Sequence, residues 1–183
     1  MKRVRQLGPV VLLGITSLLT DLGSDMIFPL LPLFLVTELG ASTAFVSIME
    51  GAADSLSSFL KYWSGKWSDR AQTRKPLVMI GYFLATASKP LVAFATAPWH
   101  VLAVRLCDRT GKGIRTSPRD ALLADVAPPG RAGRVYGFHR AMDNTGSLLG
   151  PLLGALLIGA GVAMRDVFLL AIIAGFEIIT KVP

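Results

Sequence analysis

The chain has 183 residues, of which 52% are hydrophobic and 17% charged, with a formal net charge of +7. A soluble domain is nearer 25% charged, and a basic excess can mark nucleic acid, an anionic membrane face or an acidic solute; no block of this apolar sequence reads as a solvated basic arm, which excludes nucleic acid as a partner. The single cysteine, Cys107, excludes an internal disulfide, and two histidines, His100 and His139, cannot by themselves make a metal site.

The chain begins "MKRVRQLGPVVLLGITSLLTDLGSD", basic residues and then an apolar stretch, as a secretory signal does. No small-x-small cleavage site follows, and the apolar run resumes after Asp25 as "MIFPLLPLFLV", so a membrane span is expected there instead. A helix needs roughly 20 apolar residues to cross a bilayer. Six such spans are predicted, over 8–37, 43–67, 76–97, 99–126, 132–161 and 165–182, joined by short connections. The fold class is therefore an all-α polytopic membrane protein, a single six-helix bundle over residues 1–183. A soluble helical bundle is the alternative, and the one-sided basic connections count against it. With the N-terminus in the cytoplasm, the inner side holds Lys2, Arg3, Arg5, Lys66, Arg70, Arg74, Lys75, Arg131 and Arg134. The outer connections hold only Arg165, a positive-inside asymmetry.

An ionisable side chain inside a span costs several kcal/mol unless paired or wetted, and so is a functional candidate by default. Taken in chain order, these residues form stripes. The first span carries Ser17, Asp21, Ser24 and Asp25 on one face; the second carries Glu50, Asp54, Ser57 and Lys61. The third has Lys89, which reads as a paired structural residue. The fourth carries Arg105, Asp108, Lys112, Arg115 and Arg119 in a column, with Arg109 beside it, and the fifth carries Arg140, Asp143, Asn144 and Ser147. Amphipathic spans must turn such stripes toward each other or toward water, which predicts a bundle around a polar cavity. Acids on the first, second and fifth spans are expected to neutralise part of the arginine column.

Four stretches carry a family resemblance. "GKWSDRAQTRKP" at 65–76 places Gly65, Asp69, Arg70, Arg74 and Lys75 in the order of a cytoplasmic signature between helices two and three. Gln72 stands where a glycine is usual, and Thr73 where a basic residue is common. "LGSDMIFPLLP" at 22–32 resembles a first-helix pattern ending in P-x-x-P, and "RLCDRTGKG" at 105–113 a fourth-helix pattern in which Asp108 replaces glutamine and Arg109 a glycine. "GSLLGPLLGA" at 146–155 resembles the fifth-helix pattern G-x-x-x-G-P-x-x-G-G, with Gly146, Gly150, Pro151 and Gly154 in place and only Ala155 departing. Together they resemble the N-terminal six-helix half of a twelve-helix transporter of the major facilitator superfamily.

The resemblance implies a secondary transporter working by alternating access. The fifth-helix pattern is associated in the family with antiporters that export solutes, the position of Arg105 with assistance to proton transfer, and that of Asp69 with a latch between the two halves. The expected function is proton-coupled efflux of small organic molecules, with Asp21, Asp25, Glu50, Asp54, Asp108 and Asp143 as candidate proton carriers. Two alternatives are uptake or exchange of a small organic anion drawn by the arginines, and a truncated or assembly-only half-transporter with no transport activity alone. No G-x-S-x-G, histidine-rich metal set or paired catalytic motif suggests an enzyme. No cofactor is expected beyond an ion gradient. The expected partners are the lipid bilayer, a small-molecule substrate, and a C-terminal six-helix half or a second copy. The implied location is the bacterial cytoplasmic (inner) membrane.

Overall fold

A computed structural model describes residues 7–70 and 73–171. Lys2, Arg3, Arg5, Gln72 and the sixth expected span beyond Ala171 lie outside the described residues. Within them the chain is helical, with no strand: α1 (Leu7–Ile27), α2 (Leu31–Thr37), α3 (Thr43–Arg70), α4 (Lys75–Ser88), a 3₁₀ helix (Lys89–Phe94), α5 (Pro98–Val126), α6 (Ala132–Gly159) and α7 (Met164–Leu170). The connections α3–α4 and α5–α6 share one end of the bundle, here called the basic end because it bears Arg70, Arg74, Lys75, Arg131 and Arg134.

Proline writes the breaks. Pro29 has no N–H to return to the helix. The amides of Leu30 and Leu31 donate instead to Ile27 and Phe28, three residues back, at 2.9 and 3.3 Å. The first rod is therefore bent between α1 and α2. Pro90 has the same effect after Ser88, where α4 tightens into the 3₁₀ helix. Inside α1 the hydroxyls of Thr16, Thr20 and Ser24 each donate to the carbonyl four residues back at 2.7–2.9 Å, so three polar side chains are satisfied without a tertiary partner.

Glycine sets the packing. The most extensive contact joins α1 to α6, and α5 is flanked by α3 and α4. A Cβ on Gly150 would sit 2.7 Å from the Leu22 carbonyl oxygen, and one on Gly154 2.9 Å from that of Met26. One on Gly146 would press on the carbonyl of Leu18. The strip of the fifth-helix pattern is thus the seam against α1. Gly81 of α4 and Gly111 of α5 cross reciprocally, each facing the other's carbonyl, while Gly113 lies on the Ser57 backbone of α3. The "GKG" of α5 therefore docks a helix on each side.

The main apolar core, including Ile27, Leu31, Phe34, Met49, Val101 and Phe168, fills the end opposite the basic one. A small second cluster of Val10, Leu13, Leu123 and Val135 closes the basic end. The polar stripes lie between them. Two segments, Val10–Thr37 and Lys75–Phe94, are long and apolar enough to cross a membrane on composition alone; the stripes on α3 and α5 lower their mean hydropathy. At 29 residues, α5 is about 44 Å long at 1.5 Å per residue, against a hydrocarbon core of about 30 Å. Large apolar side chains such as Ile48, Tyr62, Leu148 and Leu156 stand more than 60% exposed, the surface expected where the surroundings are lipid or another helical layer rather than water.

Candidate functional site

The column on α5 forms three ionic levels, each completed by a different helix. Farthest from the basic end, the Arg105 guanidinium is buried and forks onto Glu50 of α3, with Nε donating to Oε1 at 3.0 Å. Its carbon lies 3.8 Å from the centre of the Phe28 ring, which the Pro29 bend places there. Asp108, also buried, is 4.0 Å from the same guanidinium. Arg109 approaches Asp54 at 3.4 Å, and the Asp54 side chain is 67% exposed. Glu50, Asp54, Arg105, Asp108 and Arg109 thus form one cluster.

At the middle level Arg115, whose side chain is 2% exposed, reaches Asp21 of α1 at 3.5 Å through Nη2. Its guanidinium carbon lies 4.4 Å over the Tyr82 ring of α4, a contact that favours a cation. Nearest the basic end, Arg119 donates to Ser17 Oγ at 3.1 Å and to Asp120 at 3.2 Å, and lies 3.7 Å from Asp143 of α6. Asp143 also meets Arg140 at 3.8 Å and Nδ1 of the buried His139 at 3.4 Å.

The two levels nearer the basic end enclose a cavity of about 240 Å³. Asp21 contributes from α1, Lys61 from α3, Lys112, Arg115 and Arg119 from α5, and Arg140, Asp143 and Asn144 from α6. Five cations face two carboxylates. Seven residues expected on the pathway, all but the Arg105 cluster and Asp25, come together here; the Arg105 cluster lies beyond the cavity lining, and Asp25 makes no ion pair among the described residues. Lys89 is fully buried, and its ammonium donates to the Thr20 carbonyl at 2.8 Å, tying the 3₁₀ helix to α1.

In the α3–α4 connection, Asp69 and Arg70 end α3 exposed, and Lys75 opens α4 exposed. Arg74 pairs with Asp125 at the end of α5. Gly65 passes Ser117 at ordinary contact distance, beside two ties between α3 and α5. Ser64 donates to the Gly113 carbonyl at 3.0 Å and Ser117 to the Lys61 carbonyl at 2.8 Å. Sequence reasoning missed His139, Asp120, Asp125, Tyr82 and Phe28. His139 stands four residues before Asp143 on one helix face, a spacing that was available to it. Nothing local marks Tyr82 or Phe28 as arginine platforms.

The family model described as Major Facilitator Superfamily matches residues 13–179. An uncharacterized MFS-type transporter of Methanocaldococcus jannaschii is 34% identical over 175 residues, covering 95% of this chain and 43% of that protein. The multidrug resistance protein MdtH of Edwardsiella ictaluri is 31% identical over 156 residues, covering 85% of this chain and 38% of that one. Among solved structures, a peptide transporter POT in complex with sulfate superposes with a TM-score of 0.78 at 17% identity, over 93% of this chain and 36% of the other. A bacterial homolog of the human lysosomal transporter Spinster, inward-facing and unoccupied, gives 0.77 at 16% identity, over 96% and 41%. At such identities the likeness is one of fold. The chain spans less than half the length of each of these proteins.

Proposed function

The chain belongs to the major facilitator superfamily, a family of integral membrane transporters, and on that premise we propose that it forms one six-helix half of a secondary transporter exporting small organic molecules in exchange for protons. The observation that carries the reading is the charged cavity of about 240 Å³ built from four helices. Seven ionisable residues lining one cavity of a lipid-embedded bundle are costly to keep, and a passage for a solute and a coupling ion explains them together. The 31% likeness to a multidrug resistance protein supports the outward direction. A second six-helix half, or a second copy, covers the remaining open side of the cavity. Rocking of the two bundles then alternates access. Asp21 and Asp143 line the cavity beside Arg115 and Arg119, so a proton arriving on either carboxylate releases its arginine toward the solute. The basic end faces the cytoplasm of a bacterial inner membrane, by the positive-inside rule.

The test uses everted vesicles carrying the complete gene product and a preset proton gradient. Adding a transported solute should release protons from the vesicle lumen, and Asp21→Asn should abolish the release. A second reading, exchange or uptake of an organic anion, is favoured by the excess of cations in the lining. Strict dependence on an anion gradient without proton movement would replace the first reading with it. A complete gene product that moves no solute with or without a gradient would leave only a role in assembly.

A further inference from the structure

We infer that the cavity contains an oxyanion subsite, in which Arg115, Lys112 and Lys61 receive a carboxylate or phosphate group of the carried solute; the inference rests on the transport reading above. The first ground is charge. Asp21 is engaged by Arg115 and Asp143 by Arg119. Lys61 and Lys112 also line the cavity and make no ion pair among the described residues. Two ammonium groups facing one small cavity repel each other, and an anion between them removes that repulsion.

The second ground is an unused fork. The Arg115 side chain is 2% exposed and lines the cavity, yet only Nη2 has a protein acceptor, at 3.5 Å. Its Nε and Nη1 donors are buried with no acceptor among the described residues. Buried donors are nearly always satisfied, and an orphan calls for a missing partner. A guanidinium offers its donors in a planar fork matched to carboxylate and phosphate oxygens. Tyr82 holds that plane from behind, and the Gly81–Gly111 crossing fixes the helix that carries it. Arg115 and Lys112 are three residues apart on one face of α5, and Lys61 faces the same space from α3. Arg105 differs in degree: Nε and Nη2 both donate to Glu50 and only Nη1 lacks an acceptor among the described residues, so no complete two-donor face is left for a ligand.

Four ring-matched probes test the subsite on the complete gene product in neutral detergent: benzoate, phenyl phosphate, benzamide and benzylammonium. Binding is read by titration of the thermal midpoint. At least one of the two anions should bind tenfold or more tightly than benzamide, and benzylammonium should not bind; benzoate alone assigns a carboxylate, phenyl phosphate alone a phosphate. Lys112→Gln and Lys61→Gln should each weaken the anion about tenfold while the unliganded midpoint is kept, and Arg115→Lys, which keeps the charge but loses the fork, should weaken it further. Equal binding of all four probes, preference for the amine, no anion binding at millimolar concentration, or wild-type affinity in both lysine variants overturns the inference. Proton-coupled flux of a neutral solute without anion binding defeats the subsite and leaves the transporter reading standing. Anion binding without any flux does the reverse.

Discussion

Replacing Gly150 by alanine is the sharpest probe of how the cavity is held. The new Cβ would meet the Leu22 carbonyl oxygen at 2.7 Å and the backbone of Asp25 and Met26 at 2.9 Å. Ordinary contact begins at 3.4 Å, so α1 and α6 must part by about 0.7 Å there. All the opposing atoms are backbone, so no side chain can swing away. A gap of 0.5–1 Å forfeits roughly a quarter to a half of each dispersion contact, and in lipid no hydrophobic force between helices makes up the loss. Overpacking of this kind costs about 1–3 kcal/mol. Gly137→Ala is the control, since nothing lies within 4 Å of its Cβ position on the same helix, and both substitutions gain the same helix propensity, about 1 kcal/mol. Thermal unfolding in detergent should therefore rank Gly137→Ala at or above the parent and Gly150→Ala clearly below it. Equal midpoints for the two variants would refute the backbone seam between α1, which carries Asp21, and α6, which carries Asp143.

Glu50→Gln should lower stability by about 1.5–3 kcal/mol, because it weakens the charged fork on the buried Arg105 and leaves that guanidinium only Asp108 at 4.0 Å and the Phe28 ring; the paired change with Arg105→Met should show a coupling between the two sites in a double-mutant cycle. Lys89→Met keeps the side chain's length and removes its bond to the Thr20 carbonyl, so denaturant unfolding should report a loss of about 1.5–3 kcal/mol, and no loss would mean that the ammonium does not tie α4's continuation to α1. Arg74→Ala should cost under about 1 kcal/mol, because its partner Asp125 has a side chain 59% exposed; a larger drop in midpoint would point to a buried role for the connection.

The ionic levels were legible in the sequence because charge inside an apolar helix is rare and the spacing of three and four residues puts it on one face. That spacing on α5 already foretold a column, and the acids on three other helices foretold its partners. Which acid meets which arginine was not legible, since that depends on helix rotation set by Gly81, Gly111, Gly113 and Gly150, and a glycine's neighbour lies far away in the chain. Lys89 illustrates the limit. Its presence on an apolar helix suggested a paired structural residue, yet its ammonium donates to a backbone carbonyl on α1, a partner with no sequence signature. Two histidines are too few for a metal site, so His139 carries no metal signature in the sequence; in the fold its neighbour is Asp143, four residues on along the same helix.

Arg165 carries a consequence for motion. Its guanidinium donates to the carbonyls of Ala93 and Ala95 at 2.7 and 3.0 Å, reaches Glu38 at 3.3 Å and lies 5.1 Å over the Phe34 ring. One side chain thereby rivets the start of α7 to the exit of the 3₁₀ helix and to α2. A panel fastened along one edge swings without warping, so the freedom to bend belongs at the basic end, where the α3–α4 connection is held to α5 by the exposed Arg74–Asp125 pair that water can exchange.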